Sequence, residues 1–208
     1  HGVRFPYVAG AMANGIATAE LVIEMARAQM LGFFGAGGLS FERVEREIGR
    51  IQEALAPGQA WGANLIHSPN EPELEAAVAD LYIRAGVPRV SASAYMKLTA
   101  PIVRYSASGL SLGPDGEVTR SHHVFAKVSR PEVAQAFMAP APADLLEQLV
   151  RAGQLTEEQA RLAARVPVAE DYTVEADSGG HTDNRPLPAL MPIMLKLRDE
   201  LSAKHGYR

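Results

Sequence analysis

The chain alternates short apolar segments with longer amphipathic ones, and turns rich in glycine or polar residues separate them. Short apolar runs bounded by turn residues predict buried strands, whereas apolar residues that recur every three or four positions predict helices. Six strand–helix units follow one another in this way. The predicted strands are residues 5–9, 30–34, 61–66, 89–94, 124–128 and 172–176. Such alternation predicts an α/β fold with a parallel sheet.

Several predicted helices carry recognisable start signals. Asn70 with Glu73, and Thr156 with Gln159, have the spacing of a capping box, in which each side chain bonds the backbone N–H of the other residue. The second pair opens the later of two short helices that interrupt the regular alternation. We therefore predict a helical insertion at residues 140–166, before the sixth strand.

Composition narrows the class of protein. A chain of 208 residues can bury one sizeable core but is short for two domains of the usual size, so residues 1–208 are predicted to form one domain. The absence of cysteine excludes a disulfide scaffold and a thiolate nucleophile or metal ligand. The balance of 24 acidic to 20 basic residues argues against a dedicated nucleic-acid binder. No apolar run reaches the roughly 18 residues of a membrane helix, so a soluble, cytoplasmic protein is expected.

Glycines and polar residues follow every predicted strand. In parallel α/β sheets, ligands bind at the carboxyl ends of the strands. One such residue by itself is readily explained by a turn or a helix cap, but six coincident strand ends predict a small-molecule site. The residues concerned are Asn14 in the turn 10–15, the glycines of 35–38, Asn64, His67, Ser91, Ser93, Lys127, Ser129, Glu175, Asp177, Gly179, Gly180 and His181.

The cluster after the sixth strand is the most distinctive of these. Gly179 and Gly180 would let backbone N–H groups approach a flat or anionic ligand closely. His181 follows directly, and an imidazole can transfer protons near neutral pH. The alternative is a tight turn whose histidine is simply exposed.

Three familiar motifs do not hold in context. Residues 109–113 match the G-x-S-x-G nucleophile motif, but that motif lies between a strand and a helix, and residues 114–116 (Pro-Asp-Gly) predict a turn instead. The glycines of 35–38 lack the third glycine of the dinucleotide fingerprint. His122 and His123 are adjacent on a strand and would point to opposite faces, so they cannot chelate one metal ion together. No metal site is predicted.

Six stretches of the chain match, in order, the motifs of one known family. They are residues 5–15, 31–38, 64–72, 91–96, 126–130 and 175–186. Together they resemble the PfaD family, the trans-acting enoyl reductases of polyunsaturated-fatty-acid and polyketide synthases. That family is similar in turn to the nitronate monooxygenases (2-nitropropane dioxygenases) and to the flavin-dependent enoyl-acyl-carrier-protein reductases of bacteria.

The resemblance implies a TIM-type (β/α)8 barrel, with about six of its strand–helix units in this chain and FMN at the carboxyl rim. It implies that the backbone of the turn 10–15 passes the isoalloxazine ring. It also implies that Asn64 and Lys127 donate to the N1 and O2 edge of that ring. A cation at that edge would stabilise the reduced flavin. The implied cofactor-binding residues are Gly10, Ala11, Met12, Asn14, Asn64, Lys127, Glu175, Gly179 and Gly180, and the implied catalytic residue is His181.

The function implied is reduction of a 2-enoyl thioester on an acyl carrier protein. NADPH or NADH would reduce FMN, the hydride would pass to the β-carbon, and His181 or a water it holds would protonate the α-carbon. Polyketide or fatty acid synthase components would be the partners, and a homodimer is possible. One alternative is a nitronate monooxygenase that uses FMN and O₂. Another is a non-catalytic fragment or interaction module, because six units leave two strands of an eight-unit barrel unaccounted for.

Overall fold

A computed structural model describes residues 1–176 and 184–206 of the chain. The chain divides into two compact units, His1–Ser93 and Ala94–Arg208. All six predicted strands are present, four in the first unit and two in the second. The largest difference in strand ends is at the first strand, which begins at Val8 rather than at residue 5.

The first unit is a parallel sheet of four strands in chain order. Each strand is connected to the next by a helix, so consecutive strands lie side by side as short crossover connections require. Its elements are β1 (Val8–Ala9), α1 (Ala19–Arg27), β2 (Leu31–Phe34), α2 (Phe41–Ala54), β3 (Gly62–Ile66), α3 (Pro72–Ala85) and β4 (Arg89–Ser93).

Two glycines show which face of this sheet each side chain occupies. A Cβ added to Gly32 would lie 3.1 Å from Met25 of α1, so Gly32 faces the helix. Its neighbour Phe33 therefore points to the opposite face. A Cβ on Gly62 would lie 2.5 Å from the Phe33 ring, and Asn64 follows two residues later on the same strand. Asn64 consequently lies on the face that is turned away from α1.

The helix ends of the first unit follow local rules, with one correction. The hydroxyls of Thr18 and Ser40 accept from the first turns of α1 and α2, and Gly86, at φ 64°, ends α3 as a left-handed cap. The predicted capping box at Asn70 is wrong, because α3 begins at Pro72 with Glu71 at the cap and no side-chain cap bond. Proline lacks an N–H and has a fixed φ, which suits the first helical position.

The second unit contains a parallel strand pair, an antiparallel hairpin and five helices in its described residues. Its elements are α4 (Ala100–Ser108), β5 (Leu110–Leu112), β6 (Val118–Arg120), β7 (His123–Val128), α5 (Pro131–Met138), α6 (Ala143–Arg151), α7 (Glu157–Ala163), β8 (Asp171–Val174) and α8 (Leu187–His205). Strand β7 pairs with β8, and β5 pairs with β6.

The hairpin accounts for the G-x-S-x-G match. Ser111 is exposed in the middle of β5, and Gly116 at φ 80° lies in the turn that leads to β6. The predicted turn is therefore present, whereas the two short strands and helix α5 had not been predicted. Helices α6 and α7 lie within residues 140–166, and α7 begins with the predicted Thr156–Gln159 capping box. That this pair is an insertion into a barrel stays a prediction.

No helix among the described residues is both long enough and apolar enough to cross a membrane.

Candidate functional site

Two turns of the first unit interlock at the carboxyl ends of β1 and β2. The amide of Gly15 donates to the carbonyl of Gly35 at 2.9 Å, and the amide of Gly35 donates to the carbonyl of Ala17 at 2.9 Å. Beside them, the amide of Asn14 donates to the carbonyl of Gly37 at 2.7 Å. The turn 10–15 is therefore held by main-chain hydrogen bonds to the neighbouring loop.

Close backbone approach explains why this edge is rich in glycine. A Cβ on Gly35 would lie 1.7 Å from the carbonyl oxygen of Met12, a distance that no side chain can accept. Gly38, at φ 79°, lies so close to Asn14 that a Cβ would be 2.3 Å from its Oδ1. Gly10 is different, because an added Cβ would meet nothing within 4 Å. The two turns are packed against each other, while the backbone at Gly10 faces open space.

Asn64 lies on β3 with only 5% of its surface exposed, and its carboxamide is held by β4. Its Nδ2 donates to the carbonyl of Ser91 at 2.8 Å and to the hydroxyl of Ser93 at 2.9 Å. Those two bonds use both amide hydrogens. To donate to a ligand, as predicted, Asn64 would have to exchange its bond with the Ser93 hydroxyl. Its Oδ1 faces Gly37, where an added Cβ would lie 3.0 Å away.

Helix α3 holds the same end of β3 at two points. The hydroxyl of Tyr82 donates to the Asn64 carbonyl at 2.9 Å, and complete burial raises the pKa of that phenol far above its ordinary value. His67 Nδ1 lies 2.8 Å from Glu75 Oε2, and the Glu75 side chain is only 2% exposed. The sequence singled out His67 but missed Glu75. A signal was present, because Glu75 begins the buried stripe that continues through Val78 and Tyr82.

A cavity of about 240 Å³ lies beside this pair within the first unit. Its wall combines the start of α2, the end of β3 and the first two turns of α3. The polar residues that line it are Ser40, Asn64, Ser68, Glu71 and Glu75.

The second unit places Lys127 and Glu175 together at the carboxyl ends of β7 and β8. The Lys127 ammonium lies 2.8 Å from Glu175 Oε1, and each side chain is about a quarter exposed, at 27% and 26%. The amide of Glu175 donates to the Val128 carbonyl at 2.8 Å, which continues the pairing of the two strands. A cation and an anion predicted as cofactor-binding residues therefore form one ion pair.

A different charged cluster lies at the amino ends of the same two strands, and the sequence reasoning missed it. Arg120 has only 6% of its side chain exposed and donates to the Pro167 carbonyl at 2.6 Å and to the Ser106 hydroxyl at 2.8 Å. Glu170 lies 3.4 Å from the Arg120 Nε and bonds His123 Nδ1. Burial lowers the pKa of Arg120, and the Glu170 carboxylate counteracts that effect.

The predicted residues thus fall into three groups. The first unit gathers Gly10, Ala11, Met12 and Asn14 in one turn, and it places Asn64 near the adjoining glycine loop. The second unit joins Lys127 to Glu175. Gly179, Gly180 and His181 lie outside the described residues, so their roles stay predictions. Within residues 1–176 and 184–206, no group of three or more histidine or acidic side chains is arranged to hold a metal ion.

Comparison with known proteins gives matches along the whole chain, although no protein-family model matches it. The chain is 50% identical to a component of the polyunsaturated fatty acid synthase of Thraustochytrium sp.. It is 45% identical to the polyketide biosynthesis protein ThaF of Burkholderia thailandensis and 46% identical to PksE of Bacillus subtilis. These matches cover 99–100% of the chain but only 14%, 18% and 27% of the three relatives. The chain thus spans about a quarter or less of each relative's length.

Two solved structures are similar to this chain. One is the enoyl reductase domain of MlnA from the macrolactin biosynthesis cluster of Bacillus amyloliquefaciens, at 40% identity and a TM-score of 0.94. That match covers 100% of this chain and 46% of the other. FabK from Thermotoga maritima matches at 17% identity with a TM-score of 0.58, over 94% of this chain and 48% of the other, which bears on the fold alone. The comparisons confirm the resemblance drawn from the six motifs and the predicted fold class, a TIM-type barrel present in part.

Proposed function

We propose that this chain, a homologue of segments of polyunsaturated-fatty-acid and polyketide synthase proteins, is part of an FMN-dependent enoyl reductase. The substrate would be a 2-enoyl thioester carried by an acyl carrier protein, and synthase components would be the partners. The observation that supports this proposal most strongly is the match of the whole chain to the MlnA enoyl reductase domain. A homodimer stays a prediction.

The backbone of the first unit is suited to a flat cofactor. A flat isoalloxazine ring needs main chain that it can approach without meeting a Cβ, and glycine provides that. At Gly10 the space beside the backbone is open, while the bonds from Asn14 to Gly37 and from Gly15 to Gly35 hold the turn in place. A rigid turn of this kind would bind the ring without losing conformational freedom on binding.

The charged residues of the second unit are suited to the polar edge of the cofactor. When bound, FMN would accept a hydride from NADPH or NADH and deliver it to the β-carbon of the enoyl thioester. The Lys127 ammonium would stabilise negative charge at the polar edge of the ring. Glu175, 2.8 Å from that ammonium, would hold the long lysine side chain in one orientation and would also weaken its field.

The α-carbon of the substrate must also gain a proton, and we assign that step to His181. An imidazole can donate at neutral pH, either directly or through one water. The assignment rests on the motif at residues 175–186, because His181 lies outside the described residues.

The experiment begins with the absorption spectrum of the purified, desalted chain. A band at about 450 nm would support a bound flavin, whereas colourless protein would contradict the proposed binding of FMN by this chain. NADPH oxidation would then be measured with a crotonyl thioester of an acyl carrier protein, and oxygen uptake with a nitroalkane. Thioester-dependent NADPH oxidation supports the proposal. Oxygen uptake with the nitroalkane alone would instead indicate a nitronate monooxygenase.

One substitution tests the proton step separately from cofactor binding. His181→Ala should retain flavin and NADPH oxidation by an artificial electron acceptor but lose most enoyl reduction. If the variant reduced the thioester at the rate of the parent chain, the role assigned to His181 would be wrong.

A further inference from the structure

The end of β3 is bonded on both of its faces, and the two sets of bonds meet at one short segment. On one side, Glu75 bonds the His67 ring and Tyr82 bonds the Asn64 carbonyl. On the other, the Asn64 carboxamide bonds β4. The segment from Asn64 to His67 is therefore fixed from the helix layer, while its one buried amide side chain lies on the opposite face.

Three hydrogen bonds lie between Glu75 and the Asn64 side chain, and they are joined through the covalent structure of His67 and Ser93. A carboxylate only accepts, so the His67 Nδ1 carries the hydrogen that Glu75 receives at 2.8 Å. The backbone amide of His67 donates to the Ser93 carbonyl at 3.0 Å. The hydroxyl of the same serine accepts from Asn64 Nδ2 at 2.9 Å. Ser93 is thus bonded both by the residue that Glu75 holds and by the side chain predicted to bind the cofactor.

We propose that Glu75 is a positioning residue, which acts through His67 and Ser93 to set the orientation of the Asn64 carboxamide. A buried carboxylate is costly, and an apolar residue at this position would pack well against Val78 and Tyr82 in the same stripe. Stability alone therefore does not account for a glutamate here. A fixed position for Ser93 does, because the Ser91 carbonyl already determines which end of the Asn64 carboxamide donates, while the Ser93 hydroxyl determines where its second hydrogen points. The link to cofactor binding rests on the proposed function.

The test compares four forms of the chain by the ¹H–¹⁵N signals of the Asn64 carboxamide. They are the parent chain, Glu75→Leu, Glu75→Gln and the control Glu47→Leu. Loss of a signal pair in Asn64→Asp identifies the resonances. Glu47 is a suitable control because it is also a helical glutamate of the first unit, with 14% of its side chain exposed and an ion pair to Arg50 at 2.7 Å.

We expect Glu75→Leu to shift both carboxamide signals and to lower the melting temperature only modestly, because the His67 side chain is 15% exposed and can bond water in place of the carboxylate. Glu75→Gln should restore the parent signals, since its amide oxygen can still accept from His67. Glu47→Leu should leave them unchanged. Unshifted signals in Glu75→Leu would overturn the proposal. A shift that Glu75→Gln fails to restore would also overturn it, since the negative charge rather than the bond would then matter.

A second measurement, of the affinity for FMN, tests whether Glu75 and His67 affect cofactor binding. The dissociation constant for FMN should rise about tenfold in Glu75→Leu, the scale of one misplaced hydrogen bond, and less in Glu75→Gln. His67→Ala should have the same effect, and the double variant should be no worse than either single one. If the parent chain bound no FMN, the proposed function would fail, while the carboxamide signals would still decide the positioning role.

Discussion

The two units place predicted cofactor-binding residues at their strand ends by different physical means. In the first unit, main-chain bonds at Gly15 and Gly35 and the neutral carboxamide of Asn64 form the edge. In the second, the corresponding ends of β7 and β8 carry the ion pair of Lys127 and Glu175. One edge is thus built from backbone contacts and buried neutral hydrogen bonds, and the other from partly exposed charges.

The difference bears on how each edge can respond to a ligand. A backbone contact has one geometry, and a misfit is excluded by van der Waals repulsion, which does not depend on salt or pH. An ion pair with about a quarter of each side chain exposed is screened by salt, and its two members can change partners. We therefore expect the edge in the first unit to discriminate between ligands by shape and the edge in the second unit to respond to charge.

The largest expected effect concerns the strand ends of the first unit, where backbone contacts form the edge. Gly35→Ala should lower the free energy of unfolding by about 3 kcal/mol or more, because its Cβ would overlap the Met12 carbonyl oxygen. Gly10→Ala is the matched control, since its Cβ meets nothing within 4 Å and should change stability by about 0.5 kcal/mol or less. Urea unfolding measures both. Equal effects of the two substitutions would contradict the close approach.

The next effect concerns the buried charge of the second unit. Arg120→Ala removes a side chain that donates to the carbonyls of Pro167 and Val168. The free energy of unfolding should therefore fall by about 2 kcal/mol. Arg161→Ala removes an arginine from an exposed pair with Glu158 and should leave the free energy of unfolding nearly unchanged, because water and salt screen that pair. Thermal unfolding at low and high salt checks both. A salt-dependent loss at Arg120 would mean that its burial is not what makes it important.

The partly exposed pair should affect ligand binding more than folding. Lys127→Met should weaken FMN binding about tenfold by removing a cation, whereas Glu175→Gln should strengthen it a few-fold by releasing that cation. Neither should change the free energy of unfolding by more than about 1 kcal/mol. Lys196→Met, which breaks the exposed pair with Glu200, is the control. Flavin fluorescence titration gives the affinities. If Lys127→Met and Glu175→Gln changed the affinity for FMN in the same direction, the prediction would be wrong.

The smallest effect is a pH dependence in the second unit. Burial lowers the pKa of His122 below its ordinary 6.5, an effect partly countered by a bond to the Tyr105 carbonyl and reinforced by His123. The unfolded chain therefore takes up the proton first, and stability falls as the pH drops through about 6.5. His122→Phe keeps the stacking on Tyr105 and should flatten that decline. Parallel stability curves from about pH 7 to 5 would show that His122 does not titrate this way.

Most strands and helices could be predicted from the sequence because they depend on local patterns of residues. Continuous apolar runs identified β2 and β3, because both are buried along nearly all of their length. The Thr156–Gln159 box was found because its bonds join residues three positions apart. Helix α5 was missed, since its eight residues follow β7 at once and begin with a proline after Arg130 rather than with a capping side chain.

The candidate site was predictable to the extent that its residues follow strands. Asn64 in the first unit, and Lys127 and Glu175 in the second, were found because each follows or ends a parallel strand, where ligands bind in α/β sheets. Which of these residues bond one another was not predicted, because contacts between distant positions leave no local pattern. Arg120 bonds a carbonyl 47 positions away, and nothing near Arg120 in the sequence indicates that contact.

The sequence by itself determined the alternation of strands and helices, the glycine-rich turns and the family that the motifs resemble, since these depend on neighbouring residues and on their order. Only the tertiary structure decided that Gly35 must lack a side chain, that Asn64 has both amide hydrogens engaged and that Glu75 holds His67. Each of these depends on distances between atoms of different elements, and such distances are set by packing rather than by position along the chain.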